Sequence, residues 1–136
     1  MNLKYTAILV GLIFSSANTF ADVDINEGEW EISTKVSVPG MPMEMPAASY
    51  KKCLTKKDLV PQKSERDQNC EITDYKVSGN TVSWKMNCSG GRGGDMSGDG
   101  MVTYNGDTFS GTMNMVVPGS PPMVMTMNGK RIGPCR

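Results

Sequence analysis

The feature that most constrains the fold of this chain is an alternation of apolar and polar side chains. In Trp30–Val38, every even position except Thr34 is apolar and every odd position is polar. A period of two places the apolar residues on one face of a β-strand. The pattern recurs in Val82–Cys88, Phe109–Val117 and Met123–Met127. One buried face and one solvated face are typical of an antiparallel sheet.

A shared motif locates two hairpin turns. The motif is an apolar residue, a polar residue, Gly, Asn or Asp, Thr and a second apolar residue. It occurs at Val77–Val82 and at Tyr104–Phe109. Gly-Asn and Gly-Asp supply the positive φ angles that two-residue hairpin loops require. The register that follows pairs residues across each turn: Val77 with Val82, Tyr75 with Trp84, and Tyr104 with Phe109.

We expect an all-β fold of about seven strands, an antiparallel up-and-down meander that forms a small barrel or a strongly curved sheet. Pro39–Pro46 contains three prolines and cannot be a central strand. Ser89–Gly100 contains six glycines and predicts a long flexible connection, and Pro118–Pro122 predicts a turn. One short helix is expected at Lys56–Val60, with Thr55 as its N-cap.

The first residues have the three parts of a cleavable signal peptide. Met1–Lys4 carries positive charge, Tyr5–Phe14 is an apolar stretch, and Thr19–Ala21 offers a cleavage site. The apolar stretch is shorter than the roughly 20 residues of a spanning helix, so we expect no membrane anchor after cleavage. The sequence predicts a signal peptide at 1–21 and a single all-β domain at 22–136. The expected location is the periplasm, with secretion beyond it left open.

The cysteines agree with export. All four follow the predicted cleavage site: Cys53, Cys70, Cys88 and Cys135. An even count behind a signal peptide indicates two disulfides, and the connectivity stays open. We favour Cys70–Cys88, which would brace one hairpin, and Cys53–Cys135, which would fix the C-terminus. The hairpin register sets Cys88 opposite Glu71, so the first bridge requires a β-bulge.

Composition argues against catalysis and against nucleic-acid binding. The chain has no histidine, which removes the commonest general base, the usual nucleophilic systems and nearly every zinc or copper(II) site. Basic and acidic residues balance at 14 each, whereas nucleic-acid binding needs a basic excess. We expect a protein that is not an enzyme, has no nucleic-acid partner and acts as a monomer.

Methionine is the compositional anomaly, since eleven of the twelve follow the cleavage site. Methionine at a period of two is typical of an adaptable core. Met41, Met43 and Met45 instead lie among prolines where no sheet would bury them, and thioethers suit copper(I). Three interpretations follow. The first is a binding module for an apolar ligand or partner segment, the second a copper(I) protein that uses these three residues, and the third a structural envelope protein.

Several motifs carry a resemblance to a known family. They are Gly28–Ile32, Pro39–Met43, Cys53–Thr55, Val77–Trp84, Tyr104–Gly111 and Gly129–Cys135. With these motifs and its four cysteines, the chain resembles the bacterial family catalogued as domain of unknown function 3617. The resemblance implies an exported bacterial protein. It implies no activity, ligand or site residue.

Overall fold

The computed structural model describes residues 22–61, 68–91 and 94–136, so the predicted signal peptide lies outside the described residues. Seven β-strands form one antiparallel sheet. Their bounds are β1 Gly28–Ser37, β2 Ala48–Leu54, β3 Gln68–Ser78, β4 Thr81–Gly90, β5 Met96–Asn105, β6 Thr108–Val116 and β7 Met123–Gly133. The predicted all-β fold of about seven antiparallel strands is confirmed.

The strand order is β2-β1-β7-β6-β5-β4-β3. Strands β3 to β7 follow one another as an up-and-down meander. Strand β1 pairs with the edge of β7 that β6 leaves free. As a result β2 and β3, which are consecutive in the sequence, lie at opposite edges of the sheet. The meander prediction holds for β3 to β7 and for the β1–β2 hairpin, and it breaks between β2 and β3.

Aromatic packing shows how strongly the sheet is curved. Trp30 on β1 and Tyr104 on β5 are separated by β7 and β6, and their ring centroids lie 6.2 Å apart. In a flat sheet three strand spacings would separate them by about 14 Å. Phe109 on β6 completes the cluster, with its centroid 5.7 Å from that of Trp30. The sheet is therefore curled into a half-barrel, and we call the side that carries these rings the inner face.

Both hairpin turns have the predicted register. Val77 pairs with Val82, and Tyr104 pairs with Phe109. Gly79 and Gly106 take positive φ angles of 58° and 65°. Asn80 and Asp107 do not, so only the glycine of each turn uses the left-handed region, as in a type II′ turn.

The β3–β4 pair contains the bulge that the cysteine positions require. Cys70 pairs with Cys88 and is bonded to it, and the register shifts between Thr73 and Lys76. Two residues of β3, Asp74 and Tyr75, therefore lie where β4 has only Trp84. The predicted direct pairing of Tyr75 with Trp84 is wrong for this reason. The bulge is accommodated at Asp74, whose φ is 50°.

The second disulfide joins Cys53 to Cys135 with 5.4 Å between their Cα atoms. Cys53 is in β2, two strands away from β7 in the sheet, and Cys135 follows β7. The bridge spans 82 residues and attaches the C-terminus to the edge strand. Both pairings are those favoured from the sequence.

The predicted helix at Lys56–Val60 is absent, and the segment is a turn instead. Thr55 and Asp58 form an isolated bridge, and the Asp58 amide donates to the Thr55 carbonyl at 3.0 Å. The Thr55 hydroxyl accepts from the Lys57 amide rather than capping a helix. The Thr55 carbonyl is therefore used in a tight turn and not in an i→i+4 helical bond. Side chains of the sheet hold the next residues, since the carbonyls of Leu59, Val60 and Pro61 accept hydrogen bonds from Tyr104, Lys52 and Tyr50.

The glycine-rich connection is shorter than predicted. β4 continues to Gly90 and β5 begins at Met96, so the connection is 91–95 instead of Ser89–Gly100. Gly98 and Gly100 belong to β5, where a side chain would collide with its neighbours, at Gly98 with the Asn114 carbonyl oxygen and the end of Met113. A Cβ at Gly100 would lie 2.4 Å from the Trp84 ring. These glycines therefore make room for neighbouring side chains within a strand.

Because Gly100 lies against the Trp84 ring, a methyl group added at Gly100 should destabilise the fold, whereas one added at an open position should not. Gly100→Ala should lower the free energy of unfolding by about 1–3 kcal/mol, because a packed ring has to move. Gly133→Ala is the control, since a methyl group added there would have no neighbouring atom within 4 Å. Urea denaturation measures both variants. Equal stabilities would contradict the packing described for Trp84.

The two disulfides should differ in their contribution to stability. Loop-closure entropy grows with the length of chain that a bridge closes, and the bridges span 82 and 18 residues. Cys53→Ala/Cys135→Ala should therefore cost about 1 kcal/mol more than Cys70→Ala/Cys88→Ala. Denaturant unfolding of the two double variants measures the difference. A larger loss from the shorter bridge would contradict this order.

Candidate functional site

Methionine side chains occupy one end of the inner face. Residues that pair across successive strands form rows perpendicular to the strands, and two such rows cross this end. The first row is Val36, Met125, Met113, Gly100 and Trp84. The second, nearer the end of the sheet, is Met123, Met115, Gly98, Met86 and Ile72. Met127 lies in the row before the first, and Met96 lies beyond the second. We call the inner side chains of these seven residues the methionine face: Met86, Met96, Met113, Met115, Met123, Met125 and Met127.

Burial divides the methionine face into a packed floor and an accessible rim. Met113 and Met127 are fully buried, and Met86 and Met115 are at most 5% exposed. Met96, Met123 and Met125 are only partly buried and pack against this core. Those three side chains form the rim. A molecule approaching from solvent meets the rim first, because these three are the most accessible side chains of the methionine face.

The opposite end of the half-barrel is sealed. Residues 22–27 cross it, and Val23 and Ile25 are buried there. Ile25 forms a bridge with Gly106, and the Asn26 amide donates to the Gly106 carbonyl at 3.0 Å. The aromatic cluster of Trp30, Tyr104 and Phe109 fills the space behind this segment. Access to the inner face is thereby limited to the methionine end and the side between the edge strands.

Segment 59–61 covers part of that side. The buried Tyr104 hydroxyl donates to the Leu59 carbonyl at 2.6 Å, and Leu59 is 4% exposed. Burial, reinforced by Tyr75 and the Asp58 carboxylate, raises the pKa of the Tyr104 phenol above its usual value. The hydroxyl therefore stays a neutral donor at physiological pH. Its role is to hold this segment against the sheet.

The predicted copper ligands Met41, Met43 and Met45 lie together in the β1–β2 loop. Their exposed fractions are 58%, 81% and 54%. The loop leaves β1 at Ser37, which pairs with Val124 beside the rim. The structure thus places these residues at the same end of the sheet as the methionine face, but in a loop instead of on the inner face.

Other polar features give no competing site. A depression of about 270 Å³ is lined mainly by outer-face residues, among them Lys85, Asp99 and Asn114, and it reaches Trp84 and Gly100. Asn114 donates to the Asp99 carboxylate at 3.2 Å, and Lys85 pairs with Asp74 at 3.5 Å. These groups satisfy one another. Among residues 22–61, 68–91 and 94–136, no cluster of His, Cys, Asp and Glu is arranged to hold a metal ion.

No helix in the described part of the chain is long and apolar enough to cross a membrane.

Two properties of the site were not found from the sequence. Met96 was missed because its strand begins inside the segment assigned to a glycine-rich loop. The concentration of methionine at one end was also missed, although the distance of each residue from the hairpin turn indicates it. The aromatic residues Tyr104 and Phe109 form the second pair from a turn, whereas Met113 and Met115 lie further along β6.

Comparison with known proteins identifies the family of this chain. No curated protein and no solved structure matches it. The family model described as "Protein of unknown function (DUF3617)" matches residues 25–135. This range contains all seven strands and both disulfides. The chain therefore belongs to the DUF3617 family, as its motifs imply.

Proposed function

We propose that this protein is an exported, non-enzymatic binding module that takes up an apolar ligand on its methionine face. Two disulfides suit an oxidising compartment such as the periplasm, and the signal-like residues 1–21 would direct the chain there. The absence of histidine argues against acid–base or nucleophilic catalysis.

The observation that carries this proposal is the partly buried rim of Met96, Met123 and Met125 above a buried methionine floor. Methionine has an unbranched, polarizable side chain that adopts many shapes at low cost. A rim of such side chains can open over an apolar molecule and close around it. A ligand needs no preformed cavity, because the rim side chains can move apart to make room for it.

An apolar segment of a partner protein would use the same rim, and competition with a dye separates this case from that of an envelope scaffold. A partner segment would displace a small apolar dye from the rim, whereas an envelope scaffold that acts through its outer face would leave the dye bound. The outer face gives that third interpretation no specific support.

Truncating the rim should weaken ligand binding. We expect Met125→Ser to weaken the binding of N-phenyl-naphthylamine about fivefold, since removing a partly buried side chain forfeits about 1 kcal/mol of apolar contact. The control is Met101→Ser, because Met101 is 52% exposed on the outer face. Dye fluorescence gives the Kd, and urea denaturation checks that each variant is folded. Absence of dye binding by the parent protein, or equal losses in both variants, would refute the proposal.

Copper(I) binding is the second candidate function, and the exposure of Met41, Met43 and Met45 favours it. Three exposed thioethers within five residues provide enough soft ligands for this ion. Titration with copper(I) in ascorbate, which leaves the disulfides intact, should show binding that is lost in Met41→Leu/Met43→Leu/Met45→Leu and kept in Met101→Leu. Retention of copper(I) by the triple variant would exclude this function.

A further inference from the structure

The indole N–H of Trp84 is a buried donor without a partner. Trp84 is 1% exposed, and its Nε1 is the one buried side-chain nitrogen or oxygen without a hydrogen bond in the described part of the chain. Leaving a buried donor unpaired costs about 1–3 kcal/mol. Such a group in a native protein requires an explanation.

The other tryptophan provides a comparison within the same core. Trp30 is also fully buried, and its Nε1 donates to the Asn26 carbonyl at 3.2 Å. Both indoles are on the inner face, so burial alone does not prevent an indole from finding an acceptor here. The difference is that Trp30 lies at the sealed end, beside backbone carbonyls of the N-terminal segment.

No acceptor pairs with Trp84 Nε1, although the outer-face depression that Asp99 and Asn114 line also reaches Trp84. Its ring lies against Gly100, and the next residue in the row is Met113. No polar or charged residue is among the buried residues described. A trapped water typically needs two to four hydrogen-bond partners, which an apolar lining cannot supply. The missing acceptor therefore has to come from outside the packed core.

The unpaired donor lies in a row that reaches the accessible rim. Val36 and Met125 belong to the same row as Trp84, and both are partly buried. Movement of the flexible rim side chains would therefore admit a ligand to this row. The donor thus shares a row with the rim residue Met125, and Gly100 and Met113 lie between them.

We propose that Trp84 Nε1 donates a hydrogen bond to the ligand, which is an apolar chain carrying one neutral carbonyl oxygen. This inference rests on the proposed function and specifies its ligand class. A carboxylate is excluded because the described buried core contains no cation to pair with it, and an unpaired buried charge is costly. An alkane would leave the donor unpaired. A ketone or an ester satisfies the donor while its chain packs on methionine.

The test compares two probes of equal length, n-undecane and nonyl methyl ketone. We expect Trp84→Phe to weaken binding of the ketone about threefold to tenfold, the effect of one hydrogen bond, and to leave binding of the alkane within about twofold. Trp30→Phe is the matched control and should change the two affinities equally, because its donor is already used. Displacement of N-phenyl-naphthylamine measures each Kd.

A second readout needs no variant. The chain has two tryptophans, so proton NMR of the parent protein should show two indole N–H signals. The ketone should move the Trp84 signal downfield, whereas the alkane should not, and the Trp30 signal should stay in place for both. If neither probe binds the parent protein, the proposed function fails. If both bind and the ketone neither shifts the Trp84 signal nor depends on Trp84, the hydrogen bond is wrong while the binding function stands.

Discussion

The packing of Trp30 against Tyr104 and Phe109 is the interaction on which the rest of the structure depends. It brings β1 close to β5, across the two strands that separate them, and so forces the sheet to curl. Only a curled sheet has an inside, and only then are alternate residues of every central strand buried. Glycine permits this curvature, since a side chain at Gly129 would collide with Phe109. Edge-to-face contacts between such rings typically add about 0.5–1.5 kcal/mol beyond the area that they bury.

Curling also gives the two ends of the inner face different properties. The aromatic end has one fixed arrangement of side chains, because its rings have few rotatable bonds. Hydrogen bonds from Trp30 and Tyr104 and the N-terminal segment hold these rings in place. At the other end the inner positions are methionines, whose side chains rearrange easily, and three of them reach the surface. The rigid end supplies stability, and the adaptable end is where a ligand can be admitted without unfolding the sheet. The two disulfides strengthen this division by fixing the edge strands.

Much of the fold follows from local sequence patterns. Alternation assigned the inner residues of β1, β4, β6 and β7, the Gly-Asn and Gly-Asp turns set two registers, and the mismatch between Cys70 and Cys88 required the bulge. The pairing of β1 with β7 could not be predicted, because it is a long-range contact that no local period encodes. The helix predicted at Lys56–Val60 is absent because side chains distant in the sequence hold residues 59–61 against the sheet. Of the site, the inward direction of most methionines was predictable, whereas the unpaired Trp84 donor depends on three-dimensional surroundings.

The central claim is that the rim, and not the exposed loop or the outer face, receives an apolar molecule. NMR of protein labelled at its methionine methyl groups tests this most directly, with nonyl methyl ketone as the probe. Binding at the rim should shift the methyl signals of Met96, Met123 and Met125 and leave those of Met101 and the β1–β2 loop unchanged. Shifts confined to the exposed methionines, or no shift at any concentration at which the probe is soluble, would contradict it.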